Sequence, residues 1–223
     1  MGGRRRVSGG ALLCLALILS GCGGTASTGA PDGSGAAGGS ASPSEPAEAV
    51  GSIAVGTPSS AALDEALGAF ADSYSFVAEI TVGGEVATVA GGRRVGDGAE
   101  FTVAATGTRV TYRTIGTDAW VKREGADWTA VDGTKTDADP LAALRTPTSV
   151  EEGRPVEGAV SLVATYPATA LGLTGDGDLP VAIVIHDDGT VEATYALDTA
   201  AGPATSHTTF SPVTDPTPIV APG

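Results

Sequence analysis

The residue whose setting most clearly indicates chemistry is Cys22. Residues Leu19-Ser20-Gly21-Cys22 look like a bacterial lipobox, in which small residues precede the bond that a signal peptidase cleaves. The thiol of Cys22 is the side chain in this stretch that can accept a diacylglyceryl group through sulfur. We therefore expect cleavage before Cys22 and lipidation of that residue. An ordinary secretory signal followed by a chance cysteine is the alternative.

The residues before Cys22 favour the lipobox interpretation. Arg4, Arg5 and Arg6 form a positively charged start, and the apolar run 11–19 follows them. A helix of that length rises about 14 Å, less than half of a hydrocarbon core about 30 Å thick. Residues 1–21 are therefore predicted to be a signal peptide and not a membrane span. Because two or more acyl chains give stable attachment, we expect a protein anchored to the cell membrane on its extracytoplasmic side.

No arrangement of residues in the mature chain predicts an enzyme. The sequence has neither a Gly-x-Ser-x-Gly elbow nor a His-Glu-x-x-His pair, and its histidines are His186 and His207. Cys14 leaves with the signal peptide, so acylation of Cys22 leaves no free thiol to act as a nucleophile. A hydrolase is therefore a weaker hypothesis than the two binding and structural functions considered below, and we expect no cofactor.

Two acidic turns carry carboxylates without the spacing of a metal site. Asp176-Gly177-Asp178 is similar to the start of a calcium loop, but Leu179 and Pro180 stand where further oxygen ligands and the turn glycine are needed. The run from Asp132 to Asp139 offers three carboxylates without ligand spacing. We therefore expect no metal ion.

The charge of the chain argues against nucleic acid and against peripheral lipid binding by charge. After removal of residues 1–21, nine Lys and Arg oppose 26 Asp and Glu, which gives a net charge of −17. Such a surface repels phosphate groups. Arg93-Arg94 and Lys122-Arg123 are predicted to solvate strand edges and to discourage edge-to-edge pairing. Contact of one basic pair with a phosphate-bearing lipid headgroup is the alternative.

The composition divides the mature chain into a tether and one domain. Residues 22–57 are dominated by Gly, Ser, Ala, Thr and Pro and contain no aromatic residue. Such a segment cannot bury enough apolar surface to offset chain entropy, so we predict a disordered tether. All aromatic residues lie from Phe70 to Phe210. We expect a single, monomeric domain over residues 58–223, with a core that needs no disulfide.

The periodicity of the domain changes from helical to strand-like. Leu63, Leu67, Phe70 and Tyr74 fall on one stripe of an amphipathic helix that starts near Pro58. A second short helix is predicted from Asp139, with that residue as its cap. Alternating runs separated by glycine turns predict an antiparallel meander. The predicted strands are 76–82, 85–94, 99–106, 108–115, 119–123, 128–131, 149–152, 159–166, 181–186, 191–197 and 204–210.

The order of these elements resembles the LppX/LprG family of actinobacterial lipoproteins, whose fold is LolA-like. Four local features carry the resemblance: an opening of the first strand, a hairpin with a tryptophan, an inner helix that starts with Asp-Pro, and a closing hairpin. They are Ser75-Phe76, Thr117-Asp118-Ala119-Trp120-Val121-Lys122 before Ala126-Asp127-Trp128, Asp139-Pro140-Leu141-Ala142-Ala143-Leu144, and Phe210 followed by Pro218-Ile219 and Ala221-Pro222. The closing segment can hold at most a short edge strand, because each proline lacks a ladder donor.

The resemblance implies an α+β fold: a strongly curved antiparallel sheet, or half-barrel, with the amphipathic helix and the short inner helix on its concave face. It also implies a cavity between sheet and helices that binds or carries a lipid or another lipidated envelope molecule. The candidate cavity residues are Leu63, Leu67, Phe70, Phe76, Ile80, Phe101, Val103, Tyr112, Leu141, Leu144 and Leu162.

The sequence departs from the family in its small interior residues and in the short, glycine-rich stretch Pro167–Pro180. A small or filled cavity follows from that departure. For any one candidate residue, plain core packing is the alternative to ligand contact. The competing hypothesis is a structural or interaction lipoprotein, whose filled domain presents a surface to a partner in the envelope.

Overall fold

A computed structural model describes residues 58–131, 139–174 and 176–223. The predicted signal peptide, Cys22 and the predicted tether lie outside the described residues. Most of the acidic run from Asp132 to Asp139 lies outside them as well.

Eleven antiparallel strands form one sheet that does not close. Its order is β6-β5-β4-β3-β2-β1-β11-β10-β9-β8-β7, so two meanders join where β1 pairs with β11. The expectation of one large antiparallel sheet with a helix is confirmed. The strands are β1 (Ser73–Val82), β2 (Glu85–Val95), β3 (Gly98–Ala105), β4 (Thr108–Ile115), β5 (Asp118–Arg123), β6 (Thr129–Ala130), β7 (Ser149–Glu152), β8 (Ala159–Pro167), β9 (Asp178–His186), β10 (Val191–Thr199) and β11 (Gly202–Ser211).

The α-helix of the described chain, α1, spans Pro58–Gly68 and is shorter than the predicted stripe. Leu63 and Leu67 belong to it, whereas Phe70 lies in the turn that follows and Tyr74 lies in β1. A helix commonly stops at a glycine, and here the last helical residue is Gly68. Helical periodicity therefore extended past the true end of the helix.

The predicted second helix is a single 3-10 turn, Ala142–Arg145. Its cap position is Leu141, and no side chain caps it. The Asp139 carboxylate accepts a hydrogen bond from the Leu141 backbone N–H at 3.0 Å, so Asp139 organises the turn before the helix. Pro147 ends the element early, because a proline disfavours helical geometry in the residue before it.

The predicted closing hairpin after Phe210 is wrong. Residues 212–223 contain no strand, as expected from their prolines, and they lie across the face of the sheet that points away from α1. We call that face the outer face, the one toward α1 the inner face, and residues 212–223 the outer strap.

Strand β3 comes unusually close to β2 at Gly92. Gly92 pairs with Phe76 on one side and with Phe101 on the other. A Cβ atom at this position would lie 2.5 Å from the Phe101 Cα atom and still closer to the Glu100 carbonyl oxygen. Only glycine permits so close an approach of two strands, as at a barrel corner.

Candidate functional site

The eleven candidate cavity residues separate into two groups on the inner face. Six of them lie in one core cluster beneath α1, and their exposed fractions are 0–5%. A side chain that borders a cavity keeps surface that a water molecule or an acyl chain can touch, and these side chains keep almost none. The six are Leu63, Leu67, Phe70, Leu141, Leu144 and Leu162.

The sheet side of this interface is equally tight. Val150, Val181 and Ile183 are each 0% exposed, and they belong to the same cluster as α1. The Tyr166 hydroxyl donates a hydrogen bond to the Leu144 carbonyl oxygen at 3.0 Å, which fixes the 3-10 helix to β8. Burial raises the pKa of Tyr166, so the hydroxyl remains protonated and able to donate.

The other five candidates lie on the inner face of β1, β3 and β4; Ile80 belongs to neither core cluster, and Phe76 packs against both. The Phe76 and Phe101 rings are 6.4 Å apart between centroids, and Phe101 stacks on Tyr112 at 5.0 Å. Phe76 and Tyr112 are partly exposed, whereas Phe101 is 6% exposed. Ile80 and Val103 are 7% exposed and continue the face along β1 and β3.

This second cluster contains no helical residue among the described ones. Its buried members are Ala78, Ala90, Phe101 and Val103. The helix α1 packs chiefly against β7 and the 3-10 helix, at the opposite end of the sheet. The inner face of β3 and β4 therefore has apolar side chains and stacked rings, and no described helix contributes to its cluster, although Phe76 also packs against the cluster beneath α1. We call this surface the inner ledge and define it by Phe76, Phe101, Tyr112 and Val103.

A polar link joins β1 and β2 to the segment that leads into the 3-10 helix. The Tyr74 hydroxyl donates to the Asp139 carboxylate at 2.6 Å, and the Arg94 guanidinium donates to the other oxygen at 2.7 Å. Burial, and next the hydrogen bond to Asp139, raise the pKa of Tyr74, so its hydroxyl stays protonated. Asp139 thereby ties β1 and β2 to residues 139–145.

The basic pair Arg93-Arg94 does not solvate a strand edge, and that expectation was wrong. It lies on β2, which has β1 and β3 on either side. Successive side chains point to opposite faces of a strand. Arg94 therefore meets Asp139 on the inner face, and Arg93 meets Asp215 on the outer face at 3.6 Å. Lys122-Arg123 lies on β5, next to the two-residue edge strand β6.

Sequence reasoning missed the Tyr74–Asp139–Arg94 link and the outer strap. Tyr74 and Asp139 are 65 residues apart, and no local pattern joins them. One signal was present in the sequence: Tyr74 falls on the apolar stripe, and the hydroxyl of a buried tyrosine normally has a hydrogen-bond partner. Arg94 offered the second signal, because it alternates with the outward Arg93 and so falls on the inner face.

Neither metal chemistry nor a membrane span is indicated within the described ranges. No three His, Cys, Asp or Glu side chains of that part of the chain come together as metal ligands. Asp176 and Gly177 precede β9 in an exposed turn, and Asp178 begins that strand. No helix in residues 58–131, 139–174 or 176–223 is long and apolar enough to cross a membrane.

Two open grooves lie at the edges of the domain, and the first of them borders the core cluster at Leu162. One, of about 350 Å³, lies between the start of α1 and β8 and is lined by Ser59, Ala62, Glu152 and Val160 among others. The other, of about 440 Å³, lies at the ends of β2, β3 and β4. Neither groove includes any of the ring residues of the inner ledge.

No family model matches the chain, and no curated protein matches it.

Proposed function

We propose that this chain is a lipid-anchored envelope protein that acts through the surface of a filled domain. The observation that carries the proposal is the packing beneath α1, where Leu63, Leu67 and Leu141 are 0–2% exposed. An acyl chain needs an apolar cavity that the folded protein already holds open. The place where the family resemblance puts that cavity is occupied by side chains of the protein itself.

The anchoring part of the proposal rests on the sequence around Cys22. A positive start, a short apolar run and a lipobox precede a single mature cysteine in that order. A diacylglyceryl group, often joined by a third chain on the amine, attaches a protein stably to a membrane. The domain then needs no membrane-binding surface of its own, which agrees with a net charge of −17.

We further propose that the sheet is a half-barrel of the LppX/LprG type. The close approach of β2 and β3 at Gly92, the antiparallel order and the position of α1 over one end of the sheet support this assignment. The outer strap replaces the closing hairpin of that family, and the inner helix is reduced to one 3-10 turn. Both differences leave less material to enclose a ligand.

A carrier of lipid or of a lipidated envelope molecule is the second candidate function. The observation in its favour is the inner ledge, whose ring row has no helix packed into its cluster. In this version the acyl chain lies on Phe76, Phe101 and Tyr112, and the residues beneath α1 serve only as core. The two candidates differ in whether lipid accompanies the folded protein.

Native mass spectrometry of the Cys22→Ala chain, purified from the soluble fraction of the producing cell, separates the two candidates. The filled-domain proposal predicts one species at the mass of the polypeptide, because no cavity retains lipid. A second species heavier by the mass of a lipid, which the same chain with Phe101→Asp loses, would establish the carrier instead. Thermal melting of the Phe101→Asp chain is the control for folding.

The anchor has its own test in the same variant. We expect Cys22→Ala to abolish acyl labelling and to move the chain from the membrane fraction to the soluble fraction, because no other mature thiol can accept the lipid. Circular dichroism of the soluble chain should be that of a folded β-protein. Equal membrane retention of the variant and the parent would refute the anchor.

A further inference from the structure

Large apolar side chains are exposed on the outer face of β1 and β2. Val77, Val86 and Val89 are 57, 55 and 38% exposed, and they are three of the six exposed large hydrophobic residues in the described ranges. Val77 and Val89 lie on the outer face because they alternate along their strands with the buried Ala78 and Ala90. An apolar patch rimmed by polar side chains commonly marks a surface that contacts another molecule.

Strand pairing places one of these valines in a row of side chains that crosses the sheet. Val89 of β2 pairs with Glu79 of β1 on one side and with Ala104 of β3 on the other. Ala104 in turn pairs with Arg109 of β4. The row Glu79-Val89-Ala104-Arg109 therefore has an acid at one end, a base at the other and apolar side chains between them. We call this row, together with Val77, the outer patch.

The two charged ends of the row have no ionic partner within the described chain. Neither Glu79 nor Arg109 forms an ion pair with another described residue, whereas Arg93, Arg94 and Arg113 each do. Glu79 is partly exposed and Arg109 is exposed. Both charges can therefore be reached by a second molecule.

The surroundings of the outer patch are nearly neutral, although the mature chain is strongly acidic. Residues 73–131, which include β1 to β6, contain six Lys and Arg and seven Asp and Glu. Residues 139–223 contain two and eleven. Because like net charges repel, two copies of this chain approach each other with the least repulsion at the β1–β6 end.

The row is complementary to itself. A two-fold axis parallel to the strands, between β2 and β3, places the outer faces of two copies against each other and reverses the order of the row. Glu79 of each copy then meets Arg109 of the other, and Val89 meets Ala104 in the middle. A contact of this kind uses the same patch on both copies and closes as a dimer.

The neighbouring row fits the same axis. It carries no charge and consists of Val77, Gly91, Thr102 and Thr111. Reversal sets the exposed Val77 against Thr111 and sets Gly91 against Thr102, so this row adds no buried charge to the contact. The row after that contains Arg93 and Arg113, which hold the outer strap, and it marks the edge of the contact.

We propose that the outer patch is the contact surface of a homodimer, in place of the monomer expected from the sequence. Two rows on four strands span about 19 by 14 Å, less than the surface of about 800 Å² that each partner of a stable complex contributes. The dimer is therefore weak in solution. Anchoring of both copies in one membrane raises their effective concentration, and the inference relies on the proposed function for this point alone.

The test follows the sedimentation of the soluble Cys22→Ala chain between about 10 μM and about 1 mM, where a weak dimer with a Kd of about 100 μM changes from mostly monomer to mostly dimer. Glu79→Arg and Arg109→Glu, each added to that chain, should raise the Kd at least about tenfold, because like charges then meet at both ends of the row. The two variants mixed in equal amounts should associate as the parent does, since each end of the row again joins an arginine to a glutamate.

Matched variants at the acidic end of the chain control for net charge. Glu157→Arg and Arg154→Glu make the same changes of charge at exposed positions between β7 and β8. They should leave the Kd within about twofold of the parent value, because the outer patch is untouched. Val89→Asp should also abolish association, whereas Val160→Asp, at a valine on β8 that is 48% exposed, should not.

The proposal is overturned if the parent remains monomeric at about 1 mM. It is also overturned if mixing does not restore association, or if the controls weaken association as much as the changes in the outer patch. If circular dichroism shows that either charge variant is unfolded, Val89→Asp and Val160→Asp decide in the same way. A monomeric parent leaves the filled domain intact, whereas co-purified lipid refutes the filled domain without bearing on the dimer.

Discussion

The two ends of the sheet have the same antiparallel ladder and different interiors. Toward β7, the strands are covered by α1 and the 3-10 helix, and their inner residues include Leu162, Ile183 and Val191 at 0–2% exposure. Toward β6, the inner face has Phe76 and Tyr112 partly exposed, and among residues 58–131, 139–174 and 176–223 none from a helix belongs to that cluster. Strand pairing therefore does not decide where a ligand can bind. What decides it is whether a helix packs on the inner face of those strands.

The side chains of each end match its cover. The covered strands carry large aliphatic side chains that interdigitate with Leu63 and Leu67 of α1. On the inner face of β2 stand Ala90 and Gly92, which pair with Val103 and Phe101 of β3. One end of the sheet is thus covered by a second layer, whereas the described members of the second cluster all belong to the strands themselves.

The comparison predicts the largest loss for truncation beneath α1. Leu67→Ala should lower the free energy of unfolding by about 2–5 kcal/mol, because the vacated volume cannot collapse between the helix and the sheet. Urea titration of the soluble chain measures the loss. Asp64→Ala on the exposed side of the same helix is the control, and its change should stay within about 0.5 kcal/mol. A loss below about 1 kcal/mol for Leu67→Ala would reveal slack space under the helix.

Adding bulk at the two ends compares them directly. Leu67→Trp should cost about 1–3 kcal/mol, since a filled interface must be overpacked. Val103→Trp, on the inner ledge, should cost less, because its surroundings include the partly exposed Tyr112. Melting of both variants under one condition gives the ranking. Equal losses of stability would mean that the two ends are equally filled. A stable Leu67→Trp variant that loses a bound lipid would instead support the hypothesis of a cavity beneath α1.

Loss of the hydrogen bond between Tyr74 and Asp139 should have an intermediate effect on the free energy of unfolding. Tyr74→Phe removes the hydroxyl that donates to Asp139, while Arg94 continues to hold the carboxylate. We expect a loss of about 1 kcal/mol, the net value of one hydrogen bond. Hydrogen exchange should also rise at residues 141–145, which Asp139 ties to β1 and β2. Unchanged exchange there would show that Asp139 does not couple the two regions.

The sequence predicts the positions of the strands well, but it predicts poorly how the helices pack on the sheet, for a physical reason. Alternation and glycine turns are local, so β3, β4 and β7 fall within a residue or two of the expected ranges. Helical periodicity carried the stripe past Gly68, since Phe70 and Tyr74 face the same core from a turn and a strand. The filling of the cavity depends on which layers meet, and that contact joins residues such as Leu67 and Val150 from distant parts of the chain.

Removal of the predicted tether should have the smallest effect. Deleting residues 23–55 leaves Pro58 and the start of α1 in place, and the deleted segment offers few apolar side chains with which to pack. The free energy of unfolding should therefore change by no more than about 0.5 kcal/mol, as for a neutral surface substitution. Thermal melting of the Cys22→Ala chain with and without the deletion measures it. A loss above about 1 kcal/mol would mean that the segment docks on the domain. The inner ledge is then the surface to examine first, because its Phe76 and Tyr112 side chains are partly exposed. In that case Val103→Trp combined with the deletion would cost less than the sum of the two single changes.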